Sequence, residues 1–105
     1  MPRLIQPPAM PQEVEAIIET IGNRARAQVL HELATRGQAT APELARLLGS
    51  NRARIGAHLK ALEVAGLVRA DISEGQRQGR TVRWSLDPAC VEEHVRRLGD
   101  YLTGR

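Results

Sequence analysis

The chain has no phenylalanine, and its aromatic residues are one tryptophan and one tyrosine. It therefore has little with which to stack on the bases of single-stranded nucleic acid. Its one cysteine, Cys90, excludes an intramolecular disulfide, as is usual in a reducing compartment. No apolar run approaches the ~20 residues of a membrane-spanning helix, and the proline-rich start does not resemble a signal peptide. These absences favour a cytoplasmic protein.

Motifs of catalysis are also lacking. The sequence has no nucleophile–base pair, no paired catalytic carboxylates, no phosphate-binding glycine loop and no cofactor fingerprint. We therefore expect neither an enzyme nor a bound cofactor.

Lysine is scarce as well. The 15 basic residues are all arginine except Lys60, and the formal net charge is +3. Arginine presents a planar fork of donors that suits phosphates and guanine edges. A GC-rich genome would produce the same bias, so the positions of the arginines must decide their meaning. A chain of 105 residues with 42% hydrophobic residues predicts one globular domain.

The chain divides into a short arm and one domain. Residues 1–12 hold four of the six prolines and predict an extended N-terminal arm. Residues 13–104 predict a single folded domain.

Apolar periodicity and capping signals predict five helices in this domain. Thr40 and Glu43 form a capping box, and Asp87 precedes a proline as a further N-cap. We expect Ala34 on the buried side of the second helix, and Leu44, Leu47 and Leu48 on that of the third. The predicted helices are 11–21, 23–36, 40–48, 51–65 and one from 87 to about 102.

Between the last two helices the apolar period changes to two. Val68, Ala70 and Ile72 alternate with polar residues, as do Val82 and Trp84, around the polar stretch "EGQRQGR". This pattern predicts a β-hairpin. The predicted fold class is thus mainly α with a β-hairpin, in the order of four helices, two strands and a closing helix. Such an order is a winged helix-turn-helix.

The fourth helix, 51–65, has a face that suits a DNA groove. On a helical wheel Ile55, Leu59 and Leu62 face the core, whereas the opposite side carries small residues with arginines at its edges. Arginine at a helix N-terminus and glycine inside a helix are both unfavourable, which a DNA partner would explain. The alternative is that the arginines are merely solvated and that Gly56 packs against the third helix. The predicted contacts on this helix are Asn51, Arg52, Ala53, Arg54, Gly56, Ala57 and Lys60.

The predicted wing spans residues 73–80. It contributes Arg77 and Arg80, which we expect to contact flanking phosphates. An ordinary polar hairpin tip is the alternative, and Glu74 weakens the basic character of the loop.

With these motifs the sequence resembles the ArsR/SmtB winged-helix repressors over about residues 14–102. The resemblance is carried by "NRARAQVLHELATRG", by "APELARLLGSNRARIGAHLKALEVAGLVRA" and by "GRTVRWSLDP". It implies a homodimer that binds a palindromic operator, whose half-sites would lie about one helical turn, ~34 Å, apart. Polar residues usual at the reading positions are replaced here by Arg52, Ala53, Arg54, Gly56 and Ala57. Since arginine favours guanine, we expect a G/C-containing site.

The resemblance also implies that the first and last helices form the dimer. Both carry apolar stripes, although these stripes could instead close the core of one chain. The predicted dimerisation residues are Val14, Ile17, Ile18, Ile21, Val91, Val95, Leu98 and Leu102.

Many members of that family sense metals through a thiol pair, which aligns here with Thr40 and Pro42. Neither is a ligand, so we expect that site to be absent. Asp87, Cys90 and His94 share one face of the last helix, but we interpret them as an N-cap, a buried cysteine and a surface histidine rather than as a metal site. The sequence thus predicts a duplex-DNA-binding regulator, expected to be a repressor, with no metal. Two alternatives remain: a winged helix used for protein–protein contact, and a metal- or redox-responsive repressor that uses Cys90 and His94.

Overall fold

The computed structural model describes residues 10–105. Of the predicted arm 1–12, residues 1–9 lie outside the described part. The elements follow one another as α1 (Gln12–Ile21), α2 (Arg24–Arg36), α3 (Ala41–Leu47), α4 (Arg52–Val64), β1 (Val68–Ala70), a 3-10 turn (Glu74–Gln76), β2 (Trp84–Leu86) and α5 (Pro88–Leu102). This order confirms the predicted winged helix-turn-helix.

Side-chain caps set the starts of four of these helices. Asn23, Thr40, Asn51 and Asp87 each accept a hydrogen bond from the backbone N–H three residues later, at 2.9 to 3.3 Å. Glu43 completes the capping box at α3, because its carboxylate accepts from the Thr40 N–H at 3.0 Å. The predicted helix starts were therefore correct to within a residue.

The main core lies between α2, α3, α4 and the hairpin. The three α4 residues that the periodicity assigned to the core are 0 to 1% exposed. Its buried members are Val29, Leu30, Leu33, Ala39, Leu44, Ala45, Ile55, Leu59, Leu62, Leu67, Val68 and Trp84.

Two residues expected in this core lie outside it. Leu47 is 39% exposed and Ala34 is also exposed, while Ala45 is buried. At ~100° per residue, Leu44, Ala45 and Leu48 lie on the same side of the helix. Leu47 is rotated about 110° away from the middle of that side. The buried side of α3 therefore uses Ala45, and the prediction for Leu47 was wrong.

The hairpin strands are shorter than the alternation predicted. Val68 pairs with Leu86, and Ala70 pairs with Trp84, in an antiparallel ladder. Beyond Ala70 the Asp71 N–H still donates to the Arg83 carbonyl at 3.0 Å, but the Arg83 N–H donates to the Asp71 carboxylate, at 2.9 Å. A side chain thus takes one of the two hydrogen bonds of the next pair, and the strand ends. Trp84 also exchanges two backbone hydrogen bonds with Ala39, at 2.8 and 3.0 Å, and these bonds fasten the hairpin to the segment before α3.

The two terminal helices pack on one another at one side of this core. Val14 and Ile17 of α1 are buried, whereas α5 has no fully buried residue among those described. No helix within residues 10–105 has both the length and the apolar character needed to cross a bilayer.

The start of α5 gives a pH-dependent contribution to stability. The Asp87 carboxylate accepts from the Cys90 N–H at 3.1 Å and from the Arg69 guanidinium at 2.8 Å. These two hydrogen bonds, the backbone one first, lower the pKa of Asp87 below its ordinary value. A carboxyl whose pKa is lowered on folding stabilises the fold above the unfolded pKa, about 3.9, and loses this effect as the pH falls through the folded pKa.

We therefore expect Asp87→Asn to lower the free energy of unfolding at neutral pH. The asparagine still caps the helix but no longer forms the ion pair with Arg69. Urea unfolding from about pH 7 to about pH 3 should show the two proteins converging below about pH 4. A difference that stays constant over this range would contradict the assignment.

Candidate nucleic-acid interface

A tight turn sets the angle between α3 and α4. Gly49 has a positive φ of 62°, which favours glycine, and the Ser50 N–H donates to the Ala45 carbonyl at 2.8 Å. Asn51 then starts α4 by capping the Arg54 N–H at 2.9 Å. Asn51 was predicted to contact DNA, and in this structure its side-chain oxygen has a structural role.

Helix α4 has one buried side and one solvent-exposed side, which we call its bare side because it carries little side-chain bulk. Ile55, Leu59 and Leu62 anchor it in the core. The opposite side consists of exposed residues that are small or basic, and Ala61 beside them is half-buried. The exposed members are Arg52, Ala53, Arg54, Gly56, Ala57 and Lys60.

Gly56 has no role inside the chain that would require glycine. A Cβ built at this position meets no atom within 4 Å, and its φ is not positive. The hypothesis that Gly56 packs against α3 is therefore wrong. A glycine in mid-helix lowers stability by about 1 kcal/mol relative to alanine, and the fold offers no compensation for it. Because Gly56 has no side chain, nothing protrudes from the exposed side of α4 at this position.

The cations around α4 fall into two groups. Within residues 10–105, the side chains of Arg52, Arg54 and Arg80 make neither an ion pair nor a hydrogen bond. Lys60 instead pairs with Glu74 of the 3-10 turn. In the part of the chain that the structure describes, the side chains of Arg24, Arg46, Arg83 and Arg105 are likewise unpaired. On α4 and in the lining of the neighbouring cavity, however, the unpaired guanidinium groups are those of Arg52, Arg54 and Arg80.

Arg77 differs from what the sequence analysis expected. Its guanidinium forms two hydrogen bonds with the Glu63 carboxylate, at 3.1 and 2.5 Å, and donates from Nε to the Ile72 carbonyl at 2.8 Å. Its Cζ lies 5.0 Å from the centroid of the Trp84 ring. The side chain is 19% exposed. Arg77 is therefore not free at the tip of the wing, because its guanidinium is bound to Glu63, an acidic residue of α4.

A cavity of about 300 Å³ lies between α4, the start of α3 and the wing. Its lining includes Arg52 and Gly56 of α4 and Arg80 of the wing. Threonines 40 and 81 add hydroxyl groups. Two unpaired guanidinium groups from separate elements make this cavity suitable for an anionic group such as a phosphodiester.

Sequence and structure comparisons agree with this arrangement. A family described as a helix-turn-helix domain matches residues 21–70. The chain is similar to a crystal structure of a possible transcriptional regulator for arsenical resistance, with 28% identity, a TM-score of 0.68 and 83% of each chain covered. An ArsR-like transcriptional regulator from Rhodococcus sp. RHA1 is 26% identical, with a TM-score of 0.67 over 88% of this chain and 81% of that chain. The chain has the winged helix-turn-helix fold of ArsR-like transcriptional regulators.

The fold extends to more distant structures. The antimony-specific transcriptional repressor AntR is 24% identical with a TM-score of 0.62, over 88% of this chain and 78% of that chain, which shows a common fold. No curated protein sequence gives a significant match. The proteins that the chain resembles are transcriptional regulators and not enzymes, in agreement with the sequence prediction.

Within residues 10–105, no three histidine, cysteine or acidic side chains come together in a group that could hold a metal ion. His94 Nδ1 lies 2.8 Å from the Cys90 carbonyl oxygen and 3.6 Å from Cys90 Sγ. Because a carbonyl oxygen only accepts, Nδ1 carries the proton and cannot bind a metal together with Cys90 Sγ, and the lone pair of the neutral ring is on Nε2. Burial and the nearby Asp87 carboxylate raise the pKa of the Cys90 thiol, which disfavours the reactive thiolate.

The predicted dimerisation residues separate into a buried set, an exposed set and a half-buried set. Val14 and Ile17 are buried within the chain, so they are part of its own packing of α1 on α5. Ile18, Val95 and Leu102 are 37%, 54% and 69% exposed. The half-buried members between these two sets are Ile21, Val91, Leu98.

Two polar contacts of α4 were missed by the sequence analysis. Glu63 is one of them, since its partner Arg77 lies 14 residues later and across the hairpin. His58 is the other: its Nδ1 accepts from Arg26 Nε at 3.3 Å. Burial and the Arg26 charge lower the pKa of His58, so the ring favours its neutral form. No local spacing signals either contact, because both depend on how separate elements pack.

We expect Gly56→Ala to stabilise the protein and to weaken its binding to duplex DNA. The free energy of unfolding should rise by about 0.5–1 kcal/mol, since alanine is the better helix former. The added methyl group would stand where the groove must approach, so affinity should fall roughly tenfold, the usual scale of a tight overpacked contact.

His31→Ala is the matched control, because His31 is exposed in the middle of α2. It should raise stability without changing DNA affinity. Thermal unfolding and fluorescence anisotropy with labelled DNA measure the two effects. A Gly56→Ala protein that binds DNA as well as the parent would remove the proposed role of the bare face.

Proposed function

We propose that the chain acts as a homodimeric repressor on a palindromic duplex operator, with residues 13–104 as its DNA-binding and dimerisation domain. Helix α4 enters the major groove, and the wing, residues 73–80, lies on the flanking backbone. The observation that carries this proposal is the bare side of α4, where unpaired arginines flank a glycine that the fold does not need.

The chemistry of this side fits base recognition. Arg52 and Arg54 occupy the first turn of α4, the part of a recognition helix that reaches base edges. A guanidinium can donate two hydrogen bonds to guanine O6 and N7, so a G/C-containing half-site is favoured. Arg80 and Arg52 at the cavity are suited to a phosphate of the same half-site.

The electrostatics of α4 support the same proposal. Its first turn has no acidic residue, and two arginines stand at the positive end of the helix dipole. This arrangement costs stability in the free protein. A polyanion placed at that end would turn the repulsion into attraction, since phosphates neutralise the arginines and the helix terminus together.

We expect the double replacement Arg52→Ala and Arg54→Ala to abolish sequence-specific binding while the fold persists. Sites selected from random duplex DNA with the parent protein provide the probe. Affinity for the selected site should fall by about 100-fold or more, because each good arginine–guanine pair contributes ~1–3 kcal/mol.

The control replaces Arg24 and Arg105 with alanine. Both are exposed and form no ion pair within residues 10–105, so the charge change is the same. This control should retain most of the specific affinity. If the α4 variant binds like the control, the proposed recognition helix is wrong. If the parent selects no site and binds no duplex, use of the fold for protein–protein contact becomes the better hypothesis.

The dimer rests on the exposed apolar residues of α1 and α5. Val95 and Leu102 lie on one side of α5, and Ile18 of α1 is exposed with them. Residues of this kind are stabilised when a partner covers them. A second copy of the chain would supply the same stripe and create the two-fold symmetry that a palindrome requires.

We expect Val95→Glu combined with Leu102→Glu to give a folded monomer with greatly weakened binding to the selected palindrome. Charged residues cannot be buried in an apolar interface without a partner. Sedimentation velocity reports the mass, and circular dichroism reports the fold.

Val64→Glu is the control, because Val64 is 78% exposed at the end of α4. It should leave the mass unchanged. A double variant that remains dimeric would show that α5 does not form the interface.

A further inference from the structure

The contacts of Arg77 join the wing to the far end of α4. Glu63 lies in the last turn of α4, and its carboxylate accepts a hydrogen bond from each of the two terminal nitrogens of Arg77. These hydrogen bonds lower the pKa of Glu63 and raise that of Arg77, so both groups stay charged. Together with the bond to the Ile72 carbonyl, three of the five N–H groups of the guanidinium are used. Trp84 covers the guanidinium at cation–π distance.

The position of Arg77 determines that of Arg80. A tight turn joins them, because the Arg80 N–H donates to the Arg77 carbonyl at 3.0 Å. Gly79 inside the turn has a φ of 73°, a conformation that favours glycine. Arg80 lines the same cavity as Arg52 of the first turn of α4. A chain of contacts thus runs from Glu63 through Arg77 to Arg80.

We propose that Arg77 is a positioning residue: its clamp on Glu63 fixes the wing so that Arg80 stands opposite Arg52 at a DNA phosphate. The inference rests on the proposed DNA-binding function. It replaces the expectation that Arg77 itself contacts phosphate.

The alternative role for Arg77 requires the clamp to open. A phosphate contact would break two hydrogen bonds to a carboxylate that is itself only 24% exposed, and would leave that carboxylate beside the polyanion. A second link, between Lys60 and Glu74, joins the same two elements but is half-exposed or more on both sides. Exposed pairs of this kind contribute little, so the wing depends on Arg77.

Arg77→Lys separates the two roles because it keeps the charge. Lysine cannot form the planar two-bonded fork or stack on Trp84 in the same way. A positioning role predicts that affinity for the selected site falls on the order of tenfold, the usual size of coupling between contacting groups. A phosphate-contact role predicts affinity close to that of the parent.

Glu63→Gln provides the second, independent variant. It releases Arg77 and makes the protein more positive, so a phosphate-contact role predicts tighter binding. A positioning role predicts weaker binding to the selected site. Glu74→Gln is the matched control, since it changes the charge equally within the wing and should not weaken binding. Thermal unfolding confirms that each variant folds.

A double-mutant cycle between Glu63→Gln and Arg80→Ala completes the test. If Arg77 positions Arg80, Arg80→Ala should cost much less affinity in the Glu63→Gln protein than in the parent. Additive losses would overturn the proposal, and so would parent-like binding by both Arg77→Lys and Glu63→Gln. These results would leave the proposed function intact if the variant lacking Arg52 and Arg54 still loses specific binding. If that variant binds normally, the proposed function itself fails.

Discussion

The burial of one side of α4 is the constraint on which the rest of the structure depends. Ile55, Leu59 and Leu62 are almost completely enclosed, and this enclosure fixes the rotation of the helix about its axis. Because side chains on a helix are about 100° apart, fixing the core residues also fixes which residues face outward. The turn at Gly49 and the cap at Asn51 set where the helix begins, and Gly66, with a φ of 81°, sets where it ends. The outward surface is therefore a rigid product of the core.

Ion pairs within the chain then determine which cations remain available on that surface. The acidic residues are placed selectively: Glu63 holds Arg77, Glu74 holds Lys60, and Glu93 holds two arginines of α5. The two arginines also lower the pKa of Glu93 to about 2. None of these acids reaches the first turn of α4. A modest net charge of +3 can thus coexist with a concentrated positive surface, because the neutralisation is local.

Periodicity and caps predicted the fold well because both are local signals. In the Thr40–Glu43 box and at the caps Asn23, Asn51 and Asp87, each hydrogen bond joins residues three apart, so the pattern can be recognised in the sequence. The small outer surface of α4 followed from the same periodicity. What could not be predicted depends on distances between elements. Asp71 shortens the hairpin by bonding to Arg83, and Glu63 captures Arg77 across 14 residues. Spacing identified Arg77 as a basic residue of the wing but could not show that a partner already held it.

The distinction between held and free arginines changes how the basic residues of this domain should be interpreted. A held guanidinium contributes its charge to the long-range field but has few donors left, so its main effect is on geometry. A free one at a helix start costs stability until an anion arrives, so its charge is balanced only in a complex. Gly56 follows the same logic, because it weakens the isolated helix and leaves open the space in front of it. In the first two turns of α4, the unpaired arginines and Gly56 have no role within the fold, so they indicate what this surface binds. Arg77 is paired within the fold, so it indicates how the wing is held beside that surface.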